Sequence, residues 1–272
     1  VAETSDYAGY GVSCNGENDG FIDVAVLGGT APYSYSWSHG SEAEDLPAGL
    51  VAKTYILTVT DSNGCSVTQE IEITETEEMA VLYTQSEYTG YGISCNGGSD
   101  GWAVVGGLGG TEPYSYRWDD DLNQMTDTAV GLKSGLYKAA VTDLNGCNDT
   151  IEITISQPDT IAPNDSIVNI SCAGLCDATI TLNVTGGTEG SGYVHSWSSG
   201  SVGSIATDLC VGTHTDTIID GAGCIDTLSF VVTQPDTLET LISDTTHLKC
   251  FGDSNGLAVV APSGGTSPYT YE

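Results

Sequence analysis

Four near-copies of one short motif recur along this chain, and such a repeat restricts the fold to small units strung in series. Ser13-Cys14-Asn15-Gly16, Ser94-Cys95-Asn96-Gly97, Ser171-Cys172-Ala173-Gly174 and Lys249-Cys250-Phe251-Gly252 follow one another at nearly constant intervals. Each is followed by a Gly-Gly-Thr: Gly28-Gly29-Thr30, Gly109-Gly110-Thr111, Gly186-Gly187-Thr188 and Gly264-Gly265-Thr266. A tyrosine-rich segment then leads to a tryptophan. It reads Pro32-Tyr33-Ser34-Tyr35-Ser36-Trp37 in the first repeat and Pro113-Tyr114-Ser115-Tyr116-Arg117-Trp118 in the second. The third ends at Trp197, and the fourth starts the same way at Pro268-Tyr269-Thr270-Tyr271. The second half of each unit holds a tight turn ending in cysteine: Asp61-Ser62-Asn63-Gly64-Cys65, Asp143-Leu144-Asn145-Gly146-Cys147 and Asp220-Gly221-Ala222-Gly223-Cys224. Asn-Gly between alternating apolar runs signals a β-hairpin.

The runs themselves alternate with period two, so each presents one apolar face. Ile22, Val24 and Val26 point one way, as do Ile180, Leu182 and Val184. Tyr55, Leu57 and Val59 form the next face, and Ile151, Ile153 and Ile155, with Leu228, Phe230 and Val232, form the last. Turns between such runs predict an all-β chain of tandem Ig-like or PKD-like antiparallel β-sandwich repeats. Gln157-Pro158 and Gln234-Pro235 close two units, which sets repeats at 1–76, 77–158 and 159–235 and the start of a fourth at 236–272. Each tryptophan is expected to plug a core; the rival reading makes it an exposed platform for sugar stacking. In the third repeat His214 and Asp216 stand where Tyr137 and Ala139 stand in the second, so that strand is expected to be wetter or shifted in register.

Charge excludes several partners. Five Lys and Arg against 37 Asp and Glu give a formal charge of −32. That field repels phosphate backbones, which argues against nucleic acid, and it disfavours an anionic membrane surface. No apolar run approaches a membrane span, so no membrane insertion is expected of this segment.

Nine cysteines are present. The spacings Cys14 to Cys65, Cys95 to Cys147 and Cys172 to Cys224 agree to within a single residue, and this regularity argues for one disulfide inside each unit. Cys176 and Cys210 would pair in the third repeat. Cys250 is then the odd one, its partner expected beyond Glu272 in a continuing array. A domain this small has a modest core and benefits from such a staple. A zinc site from Cys172, Cys176, Cys210 and Cys224 is disfavoured, because two of these have counterparts in the neighbouring repeats and the cysteine usage indicates an oxidising compartment.

These motifs resemble the SprB repeat of Bacteroidota surface proteins, in which Cys-x-Gly and Asp-Gly precede Gly-Gly-Thr-x-Pro-Tyr-x-Tyr-x-Trp, a Gly-x-Tyr strand, Gly-Cys and a closing Gln-Pro. The second repeat carries nearly all of it: Cys95, Gly97, Asp100-Gly101, Gly109 to Tyr114, Trp118, Gly135 to Val141, Asp143, Gly146-Cys147 and Ser156-Gln157-Pro158. The third is the loosest match, with Ala178 in a glycine position and no Pro-Tyr pair. The resemblance implies a large, filamentous adhesin on the bacterial cell surface, exported by type IX secretion and in some members moved during gliding motility. It also implies O-glycans, because bacteria of this kind modify Asp-Ser/Thr followed by an apolar residue or Thr. Thr128, Thr150, Thr160, Ser166, Thr217, Thr227, Thr237 and Thr245 fit. A start signal for strands and turns explains Asp-Thr as well.

Calcium is the one cofactor to consider. Asp19, Asp100 and Asp177 follow the first cysteine of their repeats, Asp61, Asp143 and Asp220 precede the second, and an in-repeat disulfide would bring the two sets together as hard oxygen ligands. Turn-capping by the same carboxylates is the plainer reading. His39, His195, His214 and His247 show no metal or catalytic spacing, and Gly-Gly-Thr is not followed by a helix that could cradle phosphate. The expected partners are neighbouring repeats, covalent glycans and a surface or polysaccharide ligand. A structural and adhesive filament, not an enzyme, is the reading the residues favour; the rivals are a carbohydrate- or ligand-binding array and the spacer of a large secreted enzyme.

Overall fold

The computed structural model describes residues 1–40, 46–188 and 192–272. Among these every regular element is a strand and every pairing is antiparallel. In the first repeat β1 (Ala2–Thr4), β2 (Gly20–Val24) and β4 (Leu46–Leu50) form one sheet in the order β1-β2-β4. Strands β3 (Ser34–Trp37), β5 (Lys53–Thr60) and β6 (Ser66–Ile73) form the other, in the order β3-β5-β6. The second repeat builds the same pair from β7 (Ala80–Gln85), β8 (Gly101–Leu108) and β10 (Thr128–Leu132), and from β9 (Ser115–Trp118), β11 (Gly135–Thr142) and β12 (Asn148–Ile155). The third uses β13 (Asp159–Val168), β14 (Ala178–Gly187) and β16 (Ile205–Leu209), with β15 (Val194–Trp197), β17 (Gly212–Ile219) and β18 (Ile225–Val232). The fourth contributes the pair β19 (Glu239–Thr246) and β20 (Leu257–Ser263).

The alternating residues meet between the two sheets. Ile22, Trp37, Tyr55, Leu57 and Ile73 are buried in the first core; Val105, Trp118, Val141, Ile153 and Ile155 in the second; Ile180, Leu182, Trp197, Ile218 and Phe230 in the third. Branched and aromatic side chains on a half-buried pleated surface are what favour strands here. Trp37, Trp118 and Trp197 are 3%, 1% and 4% exposed, so each is a core plug, and sugar stacking on these three is ruled out. The hairpin registers coincide: Lys53 faces Ile73, Gly135 faces Ile155 and Gly212 faces Val232. The strand expected to be wetter or shifted is therefore not shifted, and at Asp216 it is not wetter, because that residue is wholly buried.

By contacts the chain divides into two compact units. One contains residues 1–87, 91–93 and 97–156; the other contains 88–90, 94–96 and 157–272. The first and second repeats thus share a unit. The loop tip carrying Cys95 belongs with the third repeat.

Candidate functional site: the disulfide junctions

Each of the three cysteine-ending hairpins is held by its leading aspartate. Asp143 accepts the backbone N–H groups of Asn145 at 2.9 Å and Cys147 at 2.9 Å, and its other oxygen accepts the Thr111 N–H at 2.8 Å. Asp220 does the same for Ala222, Cys224 and Thr188, and Asp61 for Asn63, Cys65 and Thr30. One carboxylate thus closes the hairpin and ties it to the Gly-Gly-Thr turn. For Asp61 these bonds, the Cys65 N–H first, hold the carboxyl below the usual aspartate value against a smaller opposing push from burial. A tyrosine completes the turn: Tyr33, Tyr114, Tyr193 and Tyr269 donate to the carbonyls of Gly28, Gly109, Gly186 and Gly264 at 2.6–2.7 Å. Tyr193 supplies this clasp in the third repeat although the Pro-Tyr pair is missing there.

The same turn receives the incoming linker. Gly110 N–H donates to Glu77 and Gly265 N–H to Asp236. Gly109 and Gly186 adopt φ of 71° and 81°, and a Cβ on either would collide with the Glu78 or Thr160 carbonyl. Only glycine combines that backbone with so close an approach.

The first loop of each of the first three repeats sits at the opposite end, against the outgoing chain. Gly11 N–H donates to the Thr74 carbonyl, Asn15 to Thr76 and Gly16 N–H to the Glu75 carboxylate. Asn96 donates to Pro158, and Gly174 N–H to the Gln234 side chain. Asp19 and Asp177 cap this loop by accepting the N–H of Ser13 and of Ser171. Hydrogen bonds from Ser13 hold the Asp19 carboxyl below its ordinary value despite burial, which acts in the opposite direction as the largest single influence.

This separation overturns the in-repeat disulfides. An eight-residue strand such as β5 spans about 26 Å, whereas a disulfide needs its Cα atoms within about 7 Å. Cys14 is bonded to Cys147 with a Cα–Cα distance of 5.7 Å, and Cys95 to Cys224 at 5.6 Å. Cys65 and Cys172 are exposed thiols, as is Cys250. The pairings Cys14–Cys65, Cys95–Cys147 and Cys172–Cys224 are therefore replaced by bonds from the first loop of one repeat to the hairpin of the next. Cys176 and Cys210 form the third disulfide. Polar contacts accompany the first junction: Asn145 Nδ2 lies 3.3 Å from the carbonyl oxygens of both Tyr7 and Ser13. Ala222 holds the Asn145 position in the third repeat and cannot do this.

Each junction has a crevice beside its disulfide. The first, about 390 Å³, is lined by Asn15, Glu17, Glu77, Glu78 and Asp149; the second, about 370 Å³, by Asn96, Asp159, Asp220 and Asp226. The six aspartates considered for calcium do not assemble. Asp19 and Asp177 cap first loops, Asp61, Asp143 and Asp220 cap hairpins at the other end, and Asp100 is an exposed residue just before β8. Among the described residues no three Asp, Glu, His or Cys side chains are grouped to hold a metal ion.

The eight Asp-Ser/Thr positions lie on the surface to different degrees. Thr150, Thr160, Ser166, Thr227, Thr237 and Thr245 are exposed; Thr128 and Thr217 are half-buried. Thr217 and Thr227 are cross-strand partners with hydroxyls 3.4 Å apart. Asp149 and Asp226 each accept the N–H of the following threonine, so these pairs also act as local caps. A buried pair was not foreseen: His195 Nδ1 lies 2.6 Å from Asp216, whose other oxygen accepts the Ser196 N–H at 2.9 Å. The signal was a double replacement, since His195 takes the place of Tyr35 and Tyr116 while Asp216 takes that of Leu57 and Ala139.

The model of the SprB repeat matches residues 12–42, 93–123, 164–202 and 242–272, once in each of the four units. These are SprB repeats. The matches begin just before the first-loop cysteine in repeats one and two and within β13 and β19 in repeats three and four, and each runs toward or past the core tryptophan, so the family pattern spans the first loop and the Gly-Gly-Thr clasp just described. No curated protein sequence matches this SprB-repeat chain. Among solved structures, three N-terminal domains of the highly immunogenic outer capsid protein of bacteriophage RB49 align over 97% of this chain and 95% of theirs, at 14% identity and a TM-score of 0.40. The eight N-terminal Ig domains of a Down syndrome cell adhesion molecule align over 78% of this chain and 35% of theirs, at 11% identity and 0.37. A tetra-tandem repeat from the extending region of a large adhesion protein aligns over 93% and 85%, at 14% and 0.21. At these scores the likenesses carry no argument about function. The SprB repeats and their disulfides mark an extracellular, adhesin-like repeat segment. Among the described residues no helix is long and apolar enough to cross a membrane.

Proposed function

We propose that this chain is a structural and adhesive segment of a large cell-surface filament, with repeats bounded at 1–76, 77–158, 159–235 and 236 onward. The observation that carries this reading is the junction: repeats one to two and two to three are each joined by a short linker and by a disulfide, an arrangement suited to holding a distal part away from the cell. The SprB family adds export by type IX secretion and, in some members, movement during gliding. A formal charge of −32 keeps such segments soluble and apart. Protease treatment of intact source cells should release peptides of residues 1–272; release only after lysis would refute surface display.

The reading includes O-glycans on the exposed Asp-Ser/Thr sites, which would shield strand edges and linkers. Thr217 and Thr227 are too close for two bulky glycans, so one of that pair is modified at a time. The unmodified mass is 28.1 kDa. The segment isolated from its source should exceed that value and return to it on deglycosylation; an unmodified native mass refutes the glycan part alone.

A further inference from the structure

We infer that Cys65, Cys172 and Cys250 are the open halves of the same loop-to-hairpin disulfide, each awaiting an adjoining SprB repeat. Three observations support the assignment. The bonded and unbonded cysteines occupy identical local structures. The hairpin N–H of Cys65 donates to Asp61 at 2.9 Å, as Cys147 does to Asp143 and Cys224 to Asp220. The first loops share a turn as well: Glu17, Leu175 and Asp253 donate to the carbonyls of Cys14, Cys172 and Cys250. All three thiols are exposed. Finally, Asn63 occupies the position of Asn145, whose amide binds two carbonyls of the preceding repeat's loop.

Each junction converts two thiols into one S–S bond. The two electrons and two protons pass to the disulfide of an oxidant, either oxidised glutathione or a thiol–disulfide oxidoreductase, which is released as two thiols.

The connectivity has a mechanical consequence. The stretch of chain from Cys147 to Cys172, like that from Cys224 to Cys250, is only about a third of a repeat. In a full array, one covalent path therefore crosses from repeat one to repeat two, follows the chain from Cys147 to Cys172 into repeat three and crosses again. A second path, offset by one repeat, does the same. Two repeats then contribute only about 90 Å of extensible chain, against roughly 540 Å for the main chain alone. Unfolding cannot lengthen such a filament much; only reduction can.

The test uses the intact chain extended by its own sequence. Glu272 occupies the position of Ser36, so residues 1–272 followed directly by a second copy of Trp37–Glu272 complete the fourth repeat. Folded with oxidised glutathione and mapped without reduction, this protein should join Cys172 to the second-copy Cys65, and Cys250 to the second-copy Cys147. Pulled from its ends, it should reach roughly a quarter of its reduced length. A free Cys172, a bond between Cys250 and the second-copy Cys65, or an oxidised length of about a third or more overturns the assignment. A second extended chain, resuming at Trp118 so that Cys147 fills the fourth hairpin, guards against a misfolded chimera: it should join Cys172 to that cysteine. On the unextended chain, alkylation before reduction should label Cys65, Cys172 and Cys250 and no other cysteine.

Discussion

Cys14 is bonded to Cys147 across 133 residues of chain, while Cys65 remains a free, exposed thiol. In the chain-entropy picture, closing a loop of that length stabilises the folded state by about 5 kcal/mol, and measured values commonly run about 2–4 kcal/mol. Cys147→Ser should therefore lower the denaturation midpoint of the unit containing the first two repeats. Cys65→Ser should change it by no more than about 0.5 kcal/mol, because an exposed, unbonded thiol contributes little. Equal losses for the two variants would contradict the junction.

The pairing was not legible in the sequence because a tandem array is periodic. If Cys14 and Cys65 recur at a constant interval, so do Cys14 and Cys147, and spacing cannot separate the two. What separates them is the length of a strand, which puts the loop of Gly11–Gly16 at one end of the sandwich and the Asn-Gly turn at the other. The sandwich was legible, since Ile22 and Val24, Tyr55 to Val59, and Ile153 and Ile155 declare their buried faces by alternation alone. Trp37, Trp118 and Trp197 were legible as core for the same reason. The Asp143 clamp on Thr111 was not, because it joins turns 32 residues apart that meet only once both sheets have formed.

That clamp can be tested directly. Asp143 is buried and serves three backbone N–H groups. Asp143→Ala leaves them without an acceptor, and hydrogen bonds to a charged group contribute about 1.5–3 kcal/mol each in favourable cases. A loss of roughly 2–4 kcal/mol in urea denaturation is expected, together with faster hydrogen exchange at the Thr111 amide. Unchanged exchange there would show that the turn is held by something else.

The equivalent residue of the first repeat gives a pH signature. The carboxyl of Asp61 is held below its ordinary value by the Cys65 N–H foremost, with burial opposing. A depressed folded value means that the stabilisation is complete above the unfolded aspartate value, about 3.9. It is lost as pH falls through the lower, folded value. The stability difference between the wild type and Asp61→Asn should therefore be constant from pH 7 to 5 and shrink below about pH 4. A difference that persists at pH 2 would show that Asp61 acts through shape alone.

The His195–Asp216 pair sets a sharper test, because the first two repeats supply natural controls. Asp216 is 0% exposed, and its carboxyl oxygens are met by His195 and the Ser196 N–H. Removing one member of a buried pair strands the other and costs about 3–5 kcal/mol, whereas replacing both with well-packed groups is neutral or stabilising by about 1–4 kcal/mol. His195→Ala should accordingly destabilise the third repeat strongly. The double variant His195→Tyr with Asp216→Leu installs the combination of Tyr35 and Leu57, which packs at the same positions of the first core. It should be at least as stable as the wild type in chemical denaturation, because the hairpin registers of the two repeats coincide. If the double variant loses as much as His195→Ala, the third core differs in shape as well as polarity, and the pair is part of what defines that shape.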